Sequence, residues 1–193
     1  MEKTTSVLIV GVGGQGVITA SEVFAKVAML SGYDVKKSEI HGMSQRGGSV
    51  SSHIRFNKVR VYSPVAPKGE VDFLMSFEKL EALRWIDFLK EEGIVIVNDF
   101  RWDPLPVSSG EEPYPEGVIE KIRERRNAII FKATELAKEL GNIRVTNTIL
   151  LGTLARQLPF DKEVWLKVIE ERVPPKTVEI NKRAFEEGYK KEI

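Results

Sequence analysis

The segment from Ser6 to Leu30 constrains the fold more than any other. Val7-Leu8-Ile9-Val10 is apolar at every position. A strand with one wet face alternates, so an unbroken apolar run belongs to a parallel sheet covered on both sides. Gly11-Val12-Gly13-Gly14-Gln15-Gly16 follows at once. Val17 to Leu30 then places Val23, Val27 and Leu30 along one helical stripe. Strand, G-x-G-x-x-G and helix in that order open a Rossmann-like unit. The glycines permit a tight turn, and the free amides of a helix N-terminus attract an anion.

A dinucleotide site also wants an acid near the end of the second strand, to hold a ribose hydroxyl. That strand is expected at about residues 33–38, and Lys36, Lys37 and Ser38 come before Glu39. The acid is late and two lysines precede it. The residues therefore leave NAD or FAD binding open beside two other roles for the turn, backbone packing or a different anion.

Further along, Val50 to Phe56 alternates with period two. Asn57-Lys58 suits a tight turn, so Val59 to Tyr62 is expected to pair back as a hairpin. His53 and Arg55 fall on one face of the first strand, read as a solvent face. Apolar runs at 71–77 and 94–97 supply two more strands. Between them, 78–91 has helical spacing with Leu80, Leu83 and Ile86 inward and Gly93 as its stop. The prolines and glycines of 100–117 predict an irregular surface segment, in which Trp102 and Tyr114 serve packing or an interface. Short elements follow at 118–125, 128–131 and 134–140, and then helices at 146–158, 161–172 and 177–190. Asn147 and Asn181 near helix starts are expected to satisfy backbone amides or neighbouring loops. Strands alternating with helices imply an α/β fold: a Rossmann-like three-layer sandwich with a mostly parallel sheet, a β-hairpin insertion and a helical C-terminal third. A length of 193 residues suits one domain, spanning 1–193.

The stretch His41-Gly42-Met43-Ser44-Gln45-Arg46-Gly47-Gly48-Ser49 carries more donor chemistry than a connector needs. Arg46 offers a planar fork for phosphate or carboxylate. Gly47 and Gly48 let a ligand or another chain come close. His41, Ser44, Gln45 and Arg46 are the candidates for a reaction site, and Gly11, Gly13, Gly14, Gln15, Gly16, Gly47 and Gly48 for anion contacts. A polar loop that merely caps its neighbours is the alternative.

Composition narrows the function classes. The 29 Lys and Arg balance 28 Asp and Glu, leaving a net charge of +1 and no electrostatic footprint for nucleic acid or an anionic membrane. Cysteine is absent, which excludes disulfides, thiolate nucleophiles and cysteine-ligated iron–sulfur clusters on this chain. Two histidines do not make a histidine-rich metal site. No apolar run approaches the ~20 residues of a membrane span, and no signal segment precedes the first strand, so a cytoplasmic location is expected. G-x-S-x-G, H-E-x-x-H and a complete P-loop are all missing. By its residues the chain is a ligand- or subunit-binding domain rather than a self-sufficient enzyme.

The glycine turn resembles the Gly-Gly-Gln-Gly opening of the gamma-type domain of 2-oxoacid:ferredoxin oxidoreductases. The loop from His41 to Val50 is more specific, and is similar to that of indolepyruvate:ferredoxin oxidoreductase beta subunits. Tyr62-Ser63-Pro64, Phe77-Glu78 ahead of Glu81-Ala82-Leu83-Arg84, Asn147 with Leu151-Gly152, and Asn181 ahead of Ala184-Phe185-Glu186-Glu187-Gly188 extend the likeness nearly end to end. The resemblance implies a thiamine-diphosphate enzyme that decarboxylates an aryl-2-oxoacid such as indolepyruvate, forms the aryl-acetyl thioester of coenzyme A and passes electrons to ferredoxin. It further implies a large partner subunit holding the thiamine diphosphate and iron–sulfur clusters, with this chain inactive alone. The Arg46 loop would then reach an inter-subunit cleft near the substrate or coenzyme A. Two rival readings are a free-standing NAD(P) or FAD dehydrogenase and a purely structural assembly subunit.

Overall fold

A computed structural model describes residues 3–41, 47–103 and 105–192 of the chain. Strand β1 (Thr5–Val12) leads through the glycine turn into helix α1 (Val17–Leu30). Strands β2 (Asp34–His41) and β3 (Ser49–Asn57) follow, then β4 (Val71–Ser76), α2 (Lys79–Trp85) and β5 (Leu89–Asn98). After the short α3 (Leu105–Ser108) come α4 (Val118–Arg125), β6 (Asn127–Phe131) and α5 (Ala133–Glu139). The chain ends in α6 (Thr146–Ala155), α7 (Lys162–Arg172) and α8 (Val178–Tyr189).

The six strands form one sheet in the order β2-β3-β1-β4-β5-β6. β1, β4, β5 and β6 are parallel, with Ile9 opposite Met75 and Ile96 opposite Ile129. The apolar runs Val7–Val10, Phe73–Met75, Ile94–Val97 and Ala128–Phe131 within them follow from burial on both faces. Leu8, Val10, Leu74, Val95 and Val97 point to one layer, packed with Ala82 of α2, Ile86 just after it and Ile122 of α4. Val7, Ile9, Met75, Ile96 and Ile129 point to the other, packed with the long helices. In that layer Phe24 makes an edge contact with Trp165, and Trp165 packs in turn against Phe185. This is the expected three-layer sandwich.

The hairpin exists, but not where the sequence placed it. β3 pairs antiparallel with β1 on one side and with β2 on the other. Both edges of β3 are thus occupied, and no edge is left for Val59 to Tyr62 to join. That segment is irregular instead. The Asn57 side chain caps the Val59 amide at 2.8 Å, Asp34 accepts from the Val61 amide at 2.7 Å, and Val59 and Tyr62 are 80% and 82% exposed. The true hairpin is β2–β3, and its connection contains most of the donor-rich loop.

The expected solvent face of β3 is also corrected. His53 is 1% exposed, with its ring edge-on to Trp85 and Phe88. Burial, and secondarily the Arg55 charge, hold its pKa below the ordinary histidine value. The helix expected over 78–91 is shorter, because Leu89 already begins β5. Gly93 is no helix stop; it lies inside that strand at a bulge, where β4 advances from Val71 to Phe73 while β5 advances from Leu89 to Ile94. A Cβ there would come within 2.7 Å of the Leu89 side chain. The C-terminal helices follow the sequence reading within a few residues, and Gly141 closes α5 at φ +97.

Candidate functional site

β1 connects through α1 to strands on one side of it, whereas β4 and the later strands lie on the other side. The carboxyl end of β1 is therefore the topological switch point, where open α/β sheets bind their ligands. The glycine turn sits there, beside the ends of β4 and β5.

The turn is built by its own side chain. Gln15 Oε1 accepts from the Val12 amide at 2.7 Å, and Gln15 Nε2 donates to the Phe77 carbonyl at 3.4 Å. Gln15 is thus a brace and not a free ligand contact. Gly11 is a packing requirement: a Cβ would lie 2.9 Å from Gln15, Phe77 and Val17 alike. Gly14 and Gly16 have φ of +101 and +90, the left-handed region where glycine carries no Cβ strain. Gly14 faces open space, while Gly16 faces the Asn147 amide. Gly16 also caps α1 without a side-chain bond among the described residues, which leaves first-turn amides to an incoming group. The Gly13 amide donates to the Gly48 carbonyl at 2.8 Å. The two glycine-rich motifs therefore share one surface, with Gly47 at φ +84 and clear of the described residues. The His41 side chain, Ser44, Gln45 and Arg46 lie outside the described residues.

Next to the turn is a cleft of about 190 Å³ lined by Gly14, Gln15, Asn98, Trp102, Ile143 and Arg144, among others. Its floor is internally satisfied. Asn98 Nδ2 donates to the Phe77 carbonyl at 3.0 Å and to Thr134 Oγ1 at 2.9 Å, and Asn98 Oδ1 accepts from the Thr134 amide at 3.2 Å. Its rim is apolar, with Trp102 44% exposed and Ile143 also exposed. Arg144 supplies a cation at the edge.

Two acids of the 78–91 segment are buried here. Glu78 is 0% exposed and Glu81 1%. Glu78 Oε2 caps α2 by accepting from the Glu81 amide at 2.9 Å, and Glu78 Oε1 accepts from the Tyr114 hydroxyl at 2.7 Å. Burial raises the Glu78 pKa above the usual carboxylate value, opposed by these donors. Burial, then the bond to Glu78, raises the Tyr114 pKa well above its ordinary value. Tyr114 thus pins its irregular segment to its own domain, while Trp102 stays available. In the sequence the one sign of this is an acid directly after a buried strand, where the free amides of a helix start need an acceptor.

The acid that a dinucleotide would need is in the wrong place. Antiparallel β3 separates β2 from β1, so Glu39 is one strand removed from the glycine turn. There it accepts from Lys37 Nζ at 2.5 Å and from Ser21 Oγ at 3.2 Å. Among the described residues no group of three or more histidines, cysteines or acids has metal-binding geometry, and no helix is long and apolar enough to cross a membrane.

The model of the family described as "Pyruvate ferredoxin/flavodoxin oxidoreductase" matches residues 6–191. The Indolepyruvate oxidoreductase subunit IorB of Thermococcus kodakarensis is 42% identical over 97% of this chain and 96% of its own length. The protein of the same name from Pyrococcus horikoshii is 41% identical over the same shares. The keto/oxoacid ferredoxin oxidoreductase gamma subunit of Geobacter sulfurreducens has the same fold, with a TM-score of 0.72 at 24% identity over 96% of each chain. So does part of the 2-oxoglutarate:ferredoxin oxidoreductase of Magnetococcus marinus, solved with 2-oxoglutarate, coenzyme A and succinyl-CoA bound: the TM-score is 0.77 at 18% identity, covering 98% of this chain and 31% of that one. The chain belongs to the pyruvate ferredoxin/flavodoxin oxidoreductase family.

Proposed function

We propose that this chain is the small subunit of a 2-oxoacid:ferredoxin oxidoreductase that converts indolepyruvate and other aryl-pyruvates to aryl-acetyl-coenzyme A, with electrons passed to ferredoxin. Its 193 residues act as one gamma-type domain. The observation that carries the reading is the bond between Gly13 and Gly48. It joins the family's two glycine motifs into one surface at the switch point, while no complete catalytic set stands beside it among the described residues. Such a face completes a site whose chemistry lies elsewhere.

A large partner subunit holds the thiamine diphosphate and the iron–sulfur clusters. The absence of cysteine agrees with that division, since such clusters are held by thiolates. Bound there, thiamine diphosphate supplies the decarboxylation chemistry. This chain's part is binding and orientation. The open Gly14, the α1 N-terminus and Arg144 offer a phosphate-bearing co-substrate amides, a helix dipole and a cation. Coenzyme A is the co-substrate with that chemistry, and the rim of Trp102 and Ile143 suits its apolar surfaces. In this reading Arg46, with His41, Ser44 and Gln45, completes the shared inter-subunit site, and Gly47 and Gly48 allow close approach.

The test is Arg46→Ala in the reconstituted complex. A higher KM for coenzyme A or a lower turnover is expected. Unchanged turnover and coenzyme A dependence would remove Arg46 from the site.

A further inference from the structure

Two fully buried carboxyls, one capping a seven-residue helix and one in its first turn, demand an explanation. Desolvating a carboxylate costs several kcal/mol unless hydrogen bonds repay it, and a neutral cap would serve α2 as well. What distinguishes Glu78 and Glu81 is where their other oxygens go. Glu81 Oε2 accepts from Ser49 Oγ, one residue beyond the Gly48 carbonyl that holds the glycine turn. Glu81 Oε1 accepts from Arg84 at 2.9 Å. Glu78 Oε1 accepts from Tyr114 and, at 3.4 Å, from the Trp102 amide; Trp102 lines the cleft together with Phe100, and Tyr114 anchors the same irregular segment further along. The Glu81 amide bonded to Glu78 links the two halves.

We propose that Glu78 and Glu81 are positioning residues that act as one strut. They couple the Gly47–Ser49 end of the donor-rich loop to the Trp102–Tyr114 segment, and so fix the width of the cleft beside the glycine turn. Neither carboxyl touches the reacting atoms. The inference rests on the reading above, in that this cleft faces coenzyme A in the assembled enzyme.

The experiment uses the co-purified complex with Ser49→Ala, Tyr114→Phe and the double variant, each of which leaves both buried acids in place. Hydrogen exchange followed by mass spectrometry reports the strut directly. Ser49→Ala is expected to speed exchange in peptides from 100–103 and 110–117 on the order of fivefold, the effect of one lost hydrogen bond, although Ser49 touches neither segment. In steady-state kinetics each single variant raises the KM for coenzyme A several-fold, and the double variant is no worse than the more affected single, because either cut releases the same strut. Glu81→Gln, which keeps an acceptor for Ser49, restores exchange and KM relative to Glu81→Ala. Exchange changes confined to each variant's own segment, or effects that multiply in the double variant, overturn the strut. Coupled exchange with an unchanged KM for coenzyme A upholds the strut and overturns the assignment of this cleft to coenzyme A.

Discussion

Gly188→Ala should be among the most damaging single substitutions in the chain, although it adds one methyl group. Gly188 lies on α8 against α6, and a Cβ there would stand 1.8 Å from the Ile149 carbonyl oxygen and 2.7 Å from its carbon. Real Cβ contacts stay beyond 3.0 Å, so the helices must part by about 1.2 Å or more at this point. The obstacle is backbone, so no rotamer relieves it. Across the same seam, Gly152 would place a Cβ 2.2 Å from the Phe185 carbonyl. Parting the helices also stretches the bond from Thr148 to Asn181, now 2.7 Å, and that from Thr153 to the Gly188 carbonyl, 3.0 Å. Overpacking costs roughly 1–3 kcal/mol, and the two hydrogen bonds about 1 kcal/mol each. Alanine's better helix propensity returns about 1 kcal/mol. The net loss is roughly 2–4 kcal/mol against a total stability on the order of 5–15 kcal/mol. At a urea m-value near 2 kcal/mol/M the unfolding midpoint should fall by about 1–2 M. A shift below about 0.3 M with an unchanged m-value would show that the seam has slack and refute the close-packing argument.

The same reasoning gives opposite outcomes for two glycines of the turn. Gly11→Ala meets three side chains at 2.9 Å and should lower stability measurably in urea titrations, whereas Gly14→Ala meets none of the described residues and costs its left-handed backbone strain, about 1–2 kcal/mol. Gly14→Ala should nonetheless weaken coenzyme A binding in the complex, measured as KM. For pH, His53 has a folded pKa below its unfolded value of 6.5, so the unfolded chain takes up the proton first and stability falls as pH drops below about 6.5. His53→Phe should flatten that part of the profile in denaturation at pH 7.5 and 5.5; an unaltered slope would clear His53 of the effect. NAD(P)H and FAD should not bind tightly in fluorescence titration, because Glu39 is engaged by Lys37 and Ser21 and lies beyond β3. Tight binding by the chain without a partner would revive the dehydrogenase reading.

Local pattern was enough for the parallel core. Val7 to Val10 and the 94–97 run announce burial on both faces, and Pro159 and Pro174 mark where the apolar-rich α6 and α7 end. Pairing partners were not legible, since period two in Val50 to Phe56 reports a strand but not which edges it uses. The chain inserts β3 between β1 and β2, and that long-range choice both displaced the hairpin and buried His53. The glycine turn was found by its spacing, yet spacing alone does not separate Gln15 as a brace from Gly14 as open surface. That division depends on the Gln15 bond to the Phe77 carbonyl, far away in sequence. Glu78 and Glu81 were missed for the same reason: their partners Ser49, Trp102 and Tyr114 come from other segments.

The most direct test of the central claim is add-back. Reduction of ferredoxin by indolepyruvate is followed with the proposed large partner subunit alone, with this chain alone, and with the two combined. The account predicts coenzyme A-dependent reduction only in the combination. Full activity in the large subunit alone, unaffected by adding this chain, would contradict it.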